Sequence, residues 1–284
     1  MTIAAVELGF GPEADLRDRT QMHFTQVLIR QGATRFILKG GMAMRALYGS
    51  TRLTKDVDFD CEDSVSRQSM RTHMPRALLQ AARAAGLSEI NVTQTKDAER
   101  SNRWRVQGTH GDGPRITWEV EVSGRGIPPA EFIETRPFST PASYRIPNFS
   151  VRVYGAAAMA GGKVNALLSE NRSVPRDVYD LFELTEQKAD PVALWIQRIP
   201  RETLEARRPQ VMQKIDLITF VHANAELLPY IAPAMRDGID AARWDEIRVR
   251  AADSVEQWFG RAIAGAQTAV ELKRDPDQID FAGR

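Results

Sequence analysis

The sequence has little of several residue types on which common functional sites depend. Its 284 residues include one cysteine, Cys61, and only four histidines, which lie far apart along the chain. A single cysteine excludes an intrachain disulfide and any zinc site built from cysteines. Catalysis by this chain is therefore expected to depend mainly on carboxylates and basic groups.

Long apolar runs and a strong charge of one sign are also missing. No stretch approaches the ~18 to 20 apolar residues that cross a bilayer. The N-terminus, Met1-Thr-Ile-Ala-Ala, has no basic region followed by an apolar one. These absences predict a cytoplasmic protein without a membrane partner. The net charge of +1 does not indicate a general nucleic-acid binder.

One segment is nevertheless basic. Between Arg145 and Arg176 the chain has five basic residues, namely Arg145, Arg152, Lys163, Arg172 and Arg176, against the single acidic Glu170. Such a segment either faces phosphates or is a solvated helix face, and charge alone favours the solvated face.

What is present predicts an α+β fold, because 43% of the residues are hydrophobic and their spacing alternates between helical and strand periods. A mixed sheet with flanking helices is expected first and a C-terminal helical bundle after it, with domains at 1–190 and 191–284. Trp195, Trp244 and Trp258 are expected in the core of the bundle. The predicted strands are 35–39, 56–60, 90–95, 103–109, 115–123 and 150–153, and the predicted helices are 13–31, 42–48, 66–85, 155–169, 176–188, 201–228 and 241–270.

The strongest functional signal is a glycine turn followed by paired acids. Leu38-Lys39-Gly40-Gly41 is separated by fourteen residues from Asp56-Val57-Asp58-Phe59. Two carboxylates two residues apart on a strand point the same way, so both can coordinate a hard cation such as Mg²⁺. The glycines let the backbone approach a ligand, and the helix start behind them presents N–H groups to a triphosphate. Nucleotidyl transfer needs both parts.

Two further acids offer a third ligand for the metal. Glu119 and Glu121 lie on one face of the predicted strand 115–123, and either could reach a metal if that strand lies beside Asp56 and Asp58. The alternative is a pair of solvent-facing glutamates. For Asp56 and Asp58 the alternative is likewise a surface strand, on which Asp60 continues the alternation, and Asp60 is expected to be peripheral.

These blocks resemble the AbiEii/AbiGii nucleotidyltransferase toxins, which include the MenT-type enzymes of the polymerase-beta superfamily. The resemblance covers about residues 35–185. Its first block is Lys39-Gly40-Gly41 with Leu47-Tyr48 and Arg52-Leu-Thr-Lys-Asp56-Val-Asp58, and its second is Lys163-Val-Asn-Ala-Leu-Leu168 with Arg172 and Arg176-Asp177-Val-Tyr-Asp180-Leu181.

The resemblance implies a polymerase-beta-like fold and assigns roles to particular residues. Gly40 and Gly41 are expected to bind the phosphates of an NTP, Asp56 and Asp58 the Mg²⁺ or Mn²⁺, and Lys163 with Asp177 to complete the catalytic set. Thr54 stands where the family usually has serine, and the hydroxyl is retained.

The resemblance also implies partners. Such enzymes transfer NMP from an NTP, some of them onto the 3′ end of tRNA, and act as toxins of toxin–antitoxin or phage-defence systems, inhibited by a cognate antitoxin.

Several of these residues have simpler interpretations. Gly161-Gly162-Lys163 is not a P-loop, because Ala157 replaces the required glycine and Val164 the hydroxyl residue. Lys163 could lie in solvent, and Asp177 could only cap a helix that starts after Pro175. Arg52 could bind phosphate or the acids, or lie at the surface.

Other functions share the first block. A protein-modifying or small-molecule nucleotidyltransferase would need the glycines and acids but not the second block. A nucleotide-binding module without catalysis would not need the acids and the lysine together.

Overall fold

The computed structural model describes residues 2–113, 115–124, 126–169 and 175–268. By compactness the chain divides into two units, of which the first holds Met1–Ile127, Glu134–Val153 and Ala232–Ala234, and the second Pro128–Ile133, Tyr154–Ile231 and Met235–Arg284. The compact units thus separate mainly near residue 153. The division at residue 190 inferred from the sequence stays a proposal about domains.

The first unit is built on a mixed sheet, which confirms the predicted fold class. Its strands are β1 (Phe36–Lys39), β2 (Asp56–Cys61), β3 (Ser88–Ala98), β4 (Ser101–Thr109), β5 (Ile116–Ser123), β6 (Ile133–Pro137) and β7 (Ser150–Tyr154). Their order across the sheet is β3-β4-β5-β2-β1-β7-β6. Strand β2 runs antiparallel to β1 and parallel to β5, so β1 and β5 flank the strand that carries the paired acids.

One face of this sheet is apolar because alternate side chains of its strands are hydrophobic. Trp104, Trp118 and Phe59 are almost completely buried. Phe24, from the first of the three helices of this unit, lies edge-on to Phe59 at 6.3 Å and tilted against Trp118 at 5.7 Å between ring centroids. The helices are α1 (Pro12–Arg30), α2 (Gly40–Leu47) and α3 (Arg67–Ala84). The polar side chains of the central strands consequently share the opposite face.

The second unit is mainly helical, as predicted for the C-terminal region. Its helices are α4 (Ala156–Leu167), α5 (Pro175–Glu186), α6 (Val192–Arg198), α7 (Arg201–Leu217), α8 (Phe220–Glu226), α9 (Pro233–Arg236, which starts in the first unit) and α10 (Ala241–Gly265). Trp195, Trp244 and Trp258 are at most 4% exposed, which confirms their placement in the core. Across the described residues, every helix is too short or too polar to cross a membrane.

The differences from the predicted elements have local causes. Strand β6 lies in the proline-rich connection, where its five residues give too short a pattern to detect. The predicted helix 201–228 ends at Leu217, and α8 begins after Thr219. Thr219 forms a capping box with His222, and the Ile218 carbonyl accepts a 3.0 Å hydrogen bond from the Trp244 indole. These two interactions stabilise a break that the hydrophobic spacing does not reveal.

Candidate active site

The glycine turn joins β1 to α2 and lies directly against an acid of β2. Gly40 has φ of +67°, a left-handed conformation that favours glycine. A Cβ atom at Gly40 would lie 3.2 Å from both Cβ and Cγ of Asp58 and still closer to its carboxylate oxygen. Only a residue without a side chain therefore lets the backbone approach this carboxylate.

Gly41 lies over a second pair of polar side chains. A Cβ atom there would be 2.7 Å from Cβ of Thr54 and 3.3 Å from a guanidinium nitrogen of Arg52. Arg52 is 2% exposed, and its Nη1 donates to the carbonyl of Leu53 at 2.9 Å. The surface alternative for Arg52 is therefore wrong: its positive charge is buried beside the turn that precedes the N–H groups of α2.

The paired acids are held as strand alternation predicts. Asp56 and Asp58 are half-buried, while Val57 and Phe59 between and beyond them are completely buried. The hydroxyl of Thr54 donates to the Asp56 carbonyl at 3.0 Å and so fixes the chain just before the strand. Both carboxylates share the polar face of the sheet, and that of Asp58 lies beside the glycine turn.

This donor set fits a hard divalent cation. Magnesium commonly takes one or two protein carboxylates and completes its shell with substrate phosphates and water. Asp56 and Asp58 provide that number. Within the described residues no group of three or more His, Cys, Asp or Glu side chains is arranged to hold a metal. Asp60 is buried and accepts a 2.5 Å hydrogen bond from Lys39.

Glu119 and Glu121 lie in register with the paired acids. Strand β5 places Glu119 opposite Asp56 and Glu121 opposite Asp58, which confirms that it neighbours β2. Both glutamates are bound by arginines of β4. Arg105 bonds Glu119 at 2.9 Å, and Arg103 bonds Glu121 through Nε at 3.2 Å and Nη2 at 2.5 Å. Metal binding by either glutamate stays a prediction.

The interaction with Arg103 keeps Glu121 charged. Burial by itself raises the pKa of the Glu121 carboxyl, but the hydrogen bond and positive charge of Arg103 outweigh it, so that the pKa lies below its usual range. The hydrogen bond and charge of Glu121, together with the charges of Glu119 and Asp56, likewise raise the pKa of Arg103. Glu121 and Arg103 therefore form a charged pair at neutral pH.

A separate buried cluster surrounds Lys163 in the second unit. Its ammonium lies 2.8 Å from Asp177 and 2.5 Å from Asp180, while these carboxylates are 2% and 0% exposed. The solvent alternative for Lys163 is therefore wrong, and Asp177 does more than cap α5. Asp180, three residues along the same helix, lies as close to the Lys163 ammonium as Asp177 does.

Residues 26–261, more than four fifths of the chain, match the family described as nucleotidyl transferase AbiEii toxin, type IV TA system. The chain belongs to this family. The match confirms the resemblance inferred from the two sequence blocks and makes this chain an AbiEii-type nucleotidyltransferase. Among curated proteins, none matches the chain.

Solved structures share the fold of this AbiEii protein. JHP933 from Helicobacter pylori superimposes with a TM-score of 0.56 at 16% identity, over 93% of this chain and 98% of the other. The nucleotidyltransferase toxin MenT4 from Mycobacterium tuberculosis has a TM-score of 0.54 at 19% identity, over 92% and 91% of the two chains. At such identities the likeness shows the fold alone.

The basic segment of the AbiEii chain is partly neutralised from within. Arg152 lies 2.5 Å from Glu62 and 2.8 Å from the Thr34 carbonyl. Lys163 is held by its two aspartates, and Arg176 stacks on Tyr230 at 5.2 Å from the ring centroid. Arg145 is exposed, and Arg172 lies outside the described residues. The segment therefore does not offer five charges to an RNA backbone.

Sequence reasoning did not single out Arg103 and Arg105. Both lie on a strand in which apolar residues alternate with polar ones, and their partners alternate on the next strand. That period of two is the only signal in the sequence. It does not distinguish these arginines, because every half-buried strand shows it. Only the pairing of β4 with β5 shows that these arginines lie beside the acids.

Replacement of Gly41 by alanine tests whether the backbone of the turn must approach a bound nucleotide closely. We expect nucleotide binding to weaken at least about tenfold, because the new methyl group would displace Thr54 or Arg52 and move the turn by several tenths of an ångström. Isothermal titration with an NTP and Mg²⁺ measures this. Gly260→Ala is the control, since a Cβ there meets nothing within 4 Å on a helix. Equal affinities of the parent and Gly41→Ala would exclude a phosphate-binding role for the turn.

Proposed function

We propose that this protein is a metal-dependent enzyme that transfers NMP from an NTP to the 3′ end of a tRNA, and that it acts as the toxin partner of a cognate antitoxin. The observation that carries the proposal is the packing of Gly40 against Asp58 and of Gly41 against Thr54 and Arg52. This arrangement joins a phosphate-binding turn to a pair of metal-binding carboxylates.

The nucleotide is held through its phosphates. Gly40 and Gly41 are the first two residues of α2, so their backbone N–H groups lie at the positive end of the helix dipole, which favours a phosphate. Arg52 adds a buried positive charge beside Gly41. Because buried charges interact more strongly than solvated ones, the site favours a triphosphate over an uncharged ligand.

Asp56 and Asp58 are the residues that would hold the metal. Mg²⁺ held there would lower the pKa of an attacking hydroxyl and offset charge on the leaving pyrophosphate. The two carboxylates share one strand, so their separation is fixed by the backbone and needs no ordering when the metal binds. For Lys163, which Asp177 and Asp180 hold in place, the second sequence block supports a role as a point charge that interacts with phosphate oxygens.

The chemistry is tested by incubating the protein with each labelled NTP, Mg²⁺ and total RNA or total protein. We expect label on RNA, with none after EDTA is added. Label that appears only on protein would identify a protein acceptor and contradict the RNA assignment. The absence of label on both would contradict nucleotidyl transfer to a macromolecule.

The biological role is tested by expression in a bacterium without the antitoxin. The parent is expected to slow growth and to extend tRNA 3′ ends, which sequencing of those ends detects. Asp58→Ala should do neither, whereas Asp112→Asn, in the exposed turn between β4 and β5, should behave as the parent does. Equal growth of the parent and Asp58→Ala strains with unextended ends would reject the RNA-modifying toxin.

A further inference from the structure

The polar face of the sheet continues beyond the acids as a strip of basic side chains. Arg103 lies opposite Glu121 and Arg105 opposite Glu119, while Lys96 of β3 lies opposite Arg103. The side chains of Arg103 and Arg105 are 41% and 49% exposed. The reverse face of the same strands is completely buried at Trp104 and Val106. The strip is therefore the solvent side of a rigid sheet.

If the proposed function holds, the strand order indicates that the strip lies on the side of the active site from which the acceptor enters. The glycine turn that binds the nucleotide follows β1, on one side of β2, whereas β5 and β4 lie on the other. In nucleotidyl transfer the attacking hydroxyl must reach the α-phosphorus of the NTP, beside Asp56 and Asp58, from the side opposite the leaving pyrophosphate. The acceptor consequently approaches across β5 and β4, where the arginines lie.

The two guanidinium groups are already ordered for a ligand. Nε and Nη2 of Arg105 both lie 2.9 Å from Glu119, and Arg103 uses Nε and Nη2 for Glu121. In the described part of the chain, Nη1 of Arg105 makes no hydrogen bond, and Nη1 of Arg103 only approaches Glu119 at 3.7 Å. Because each glutamate fixes its arginine, little side-chain entropy is lost when Nη1 binds a further oxygen.

The charge of the strip favours an anion. Lys96, Arg103 and Arg105 carry three positive charges against the two negative charges of Glu119 and Glu121. Asp56 and Asp58 lie next to the strip, and a bound metal would offset their charge. We propose that Arg103 and Arg105 form a subsite for backbone phosphates of the RNA acceptor, adjacent to its attacking 3′ hydroxyl. Glu119 and Glu121 are then the positioning residues of this subsite.

The subsite is tested by RNA binding, which does not depend on turnover. The probe is a short fluorescent single-stranded RNA with a free 3′ hydroxyl, titrated with the full chain at several salt concentrations. For Arg103→Gln/Arg105→Gln we expect affinity to fall about tenfold or more, and the slope of log K against log salt to decrease by about 1.4, since each phosphate contact on a single strand contributes about 0.7. Arg76→Gln is the matched control, because Arg76 is exposed on α3.

A second variant distinguishes the loss of arginine–phosphate contacts from the effect of leaving Glu119 and Glu121 without their arginines. Arg103→Gln/Arg105→Gln/Glu119→Gln/Glu121→Gln leaves no carboxylate unpaired, and it should show the same reduced salt slope. If the arginine variants bind RNA as the parent does at every salt concentration while the parent labels RNA, the subsite is wrong and the proposed function stands. If the parent labels only protein, or labels nothing, the proposed function itself fails. A reduced slope in both variants, with Arg76→Gln unchanged, supports the subsite.

Discussion

Asp58→Asn is expected to reduce nucleotidyl transfer at least about a hundredfold, equivalent to about 2.7 kcal/mol of transition-state stabilisation. Asparagine keeps the size of the side chain but lacks the negative charge that holds a divalent cation. The fold should persist because Asp58 is only half-buried, on the polar face of the sheet. Initial rates at saturating NTP and Mg²⁺ measure the loss.

A second measurement on the same variant separates metal binding from other roles of Asp58. Titration with Mn²⁺ in the presence of an NTP should show weaker metal binding in Asp58→Asn and in Asp56→Asn, with unchanged thermal midpoints. Asp112→Asn provides the control for an acid in the exposed hairpin turn of the same unit. Turnover of Asp58→Asn within about threefold of the parent would refute the assignment of the metal site.

Replacement of Lys163 is expected to have the second largest effect, on both stability and activity. Lys163→Met leaves the buried carboxylates of Asp177 and Asp180 without their counter-charge, which costs about 3 to 5 kcal/mol. Urea unfolding measures this loss. Lys163→Arg should not restore activity, since a planar guanidinium does not replace a compact ammonium between two carboxylates.

A neutral variant separates the structural role of Lys163 from its chemical one. Lys163→Met/Asp177→Asn/Asp180→Asn removes the buried charges together and should regain much of the stability lost in Lys163→Met. Its transfer rate should remain at least about tenfold below that of the parent if the ammonium acts on the nucleotide. Recovery of both stability and rate would show that Lys163 only maintains the fold.

Much of the fold and part of the site follow from local patterns. Strand β2 was predicted because Asp56 and Asp58 alternate with Val57 and Phe59, and that alternation also places the two acids on one face. The turn at Gly40 was predicted because a strand pattern stops at two glycines and a helical pattern follows. Such features depend on neighbours a few residues away, so the sequence contains them directly.

The partners of Glu119 and Glu121 could not be predicted in the same way. Alternation shows that both glutamates share a face, and equally that Arg103 and Arg105 share one. Nothing local states that β5 lies between β4 and β2, since strand order results from packing between residues distant in sequence. The same limit applies to Arg52, whose burial beneath Gly41 depends on how the segment after α2 returns to the turn.

The sequence by itself determined most of the helices and strands, the family and the residue types available for chemistry. Its single cysteine excluded thiol-based sites, its paired acids and glycines indicated metal-assisted transfer, and its two blocks identified the AbiEii family. The tertiary structure decided which charges are neutralised and which remain for a ligand. It bound Lys163 to Asp177 and Asp180, and it set Arg103 and Arg105 beside the acids. The physical reason is that electrostatic interactions depend on distance and burial, and both are fixed only when remote segments pack together.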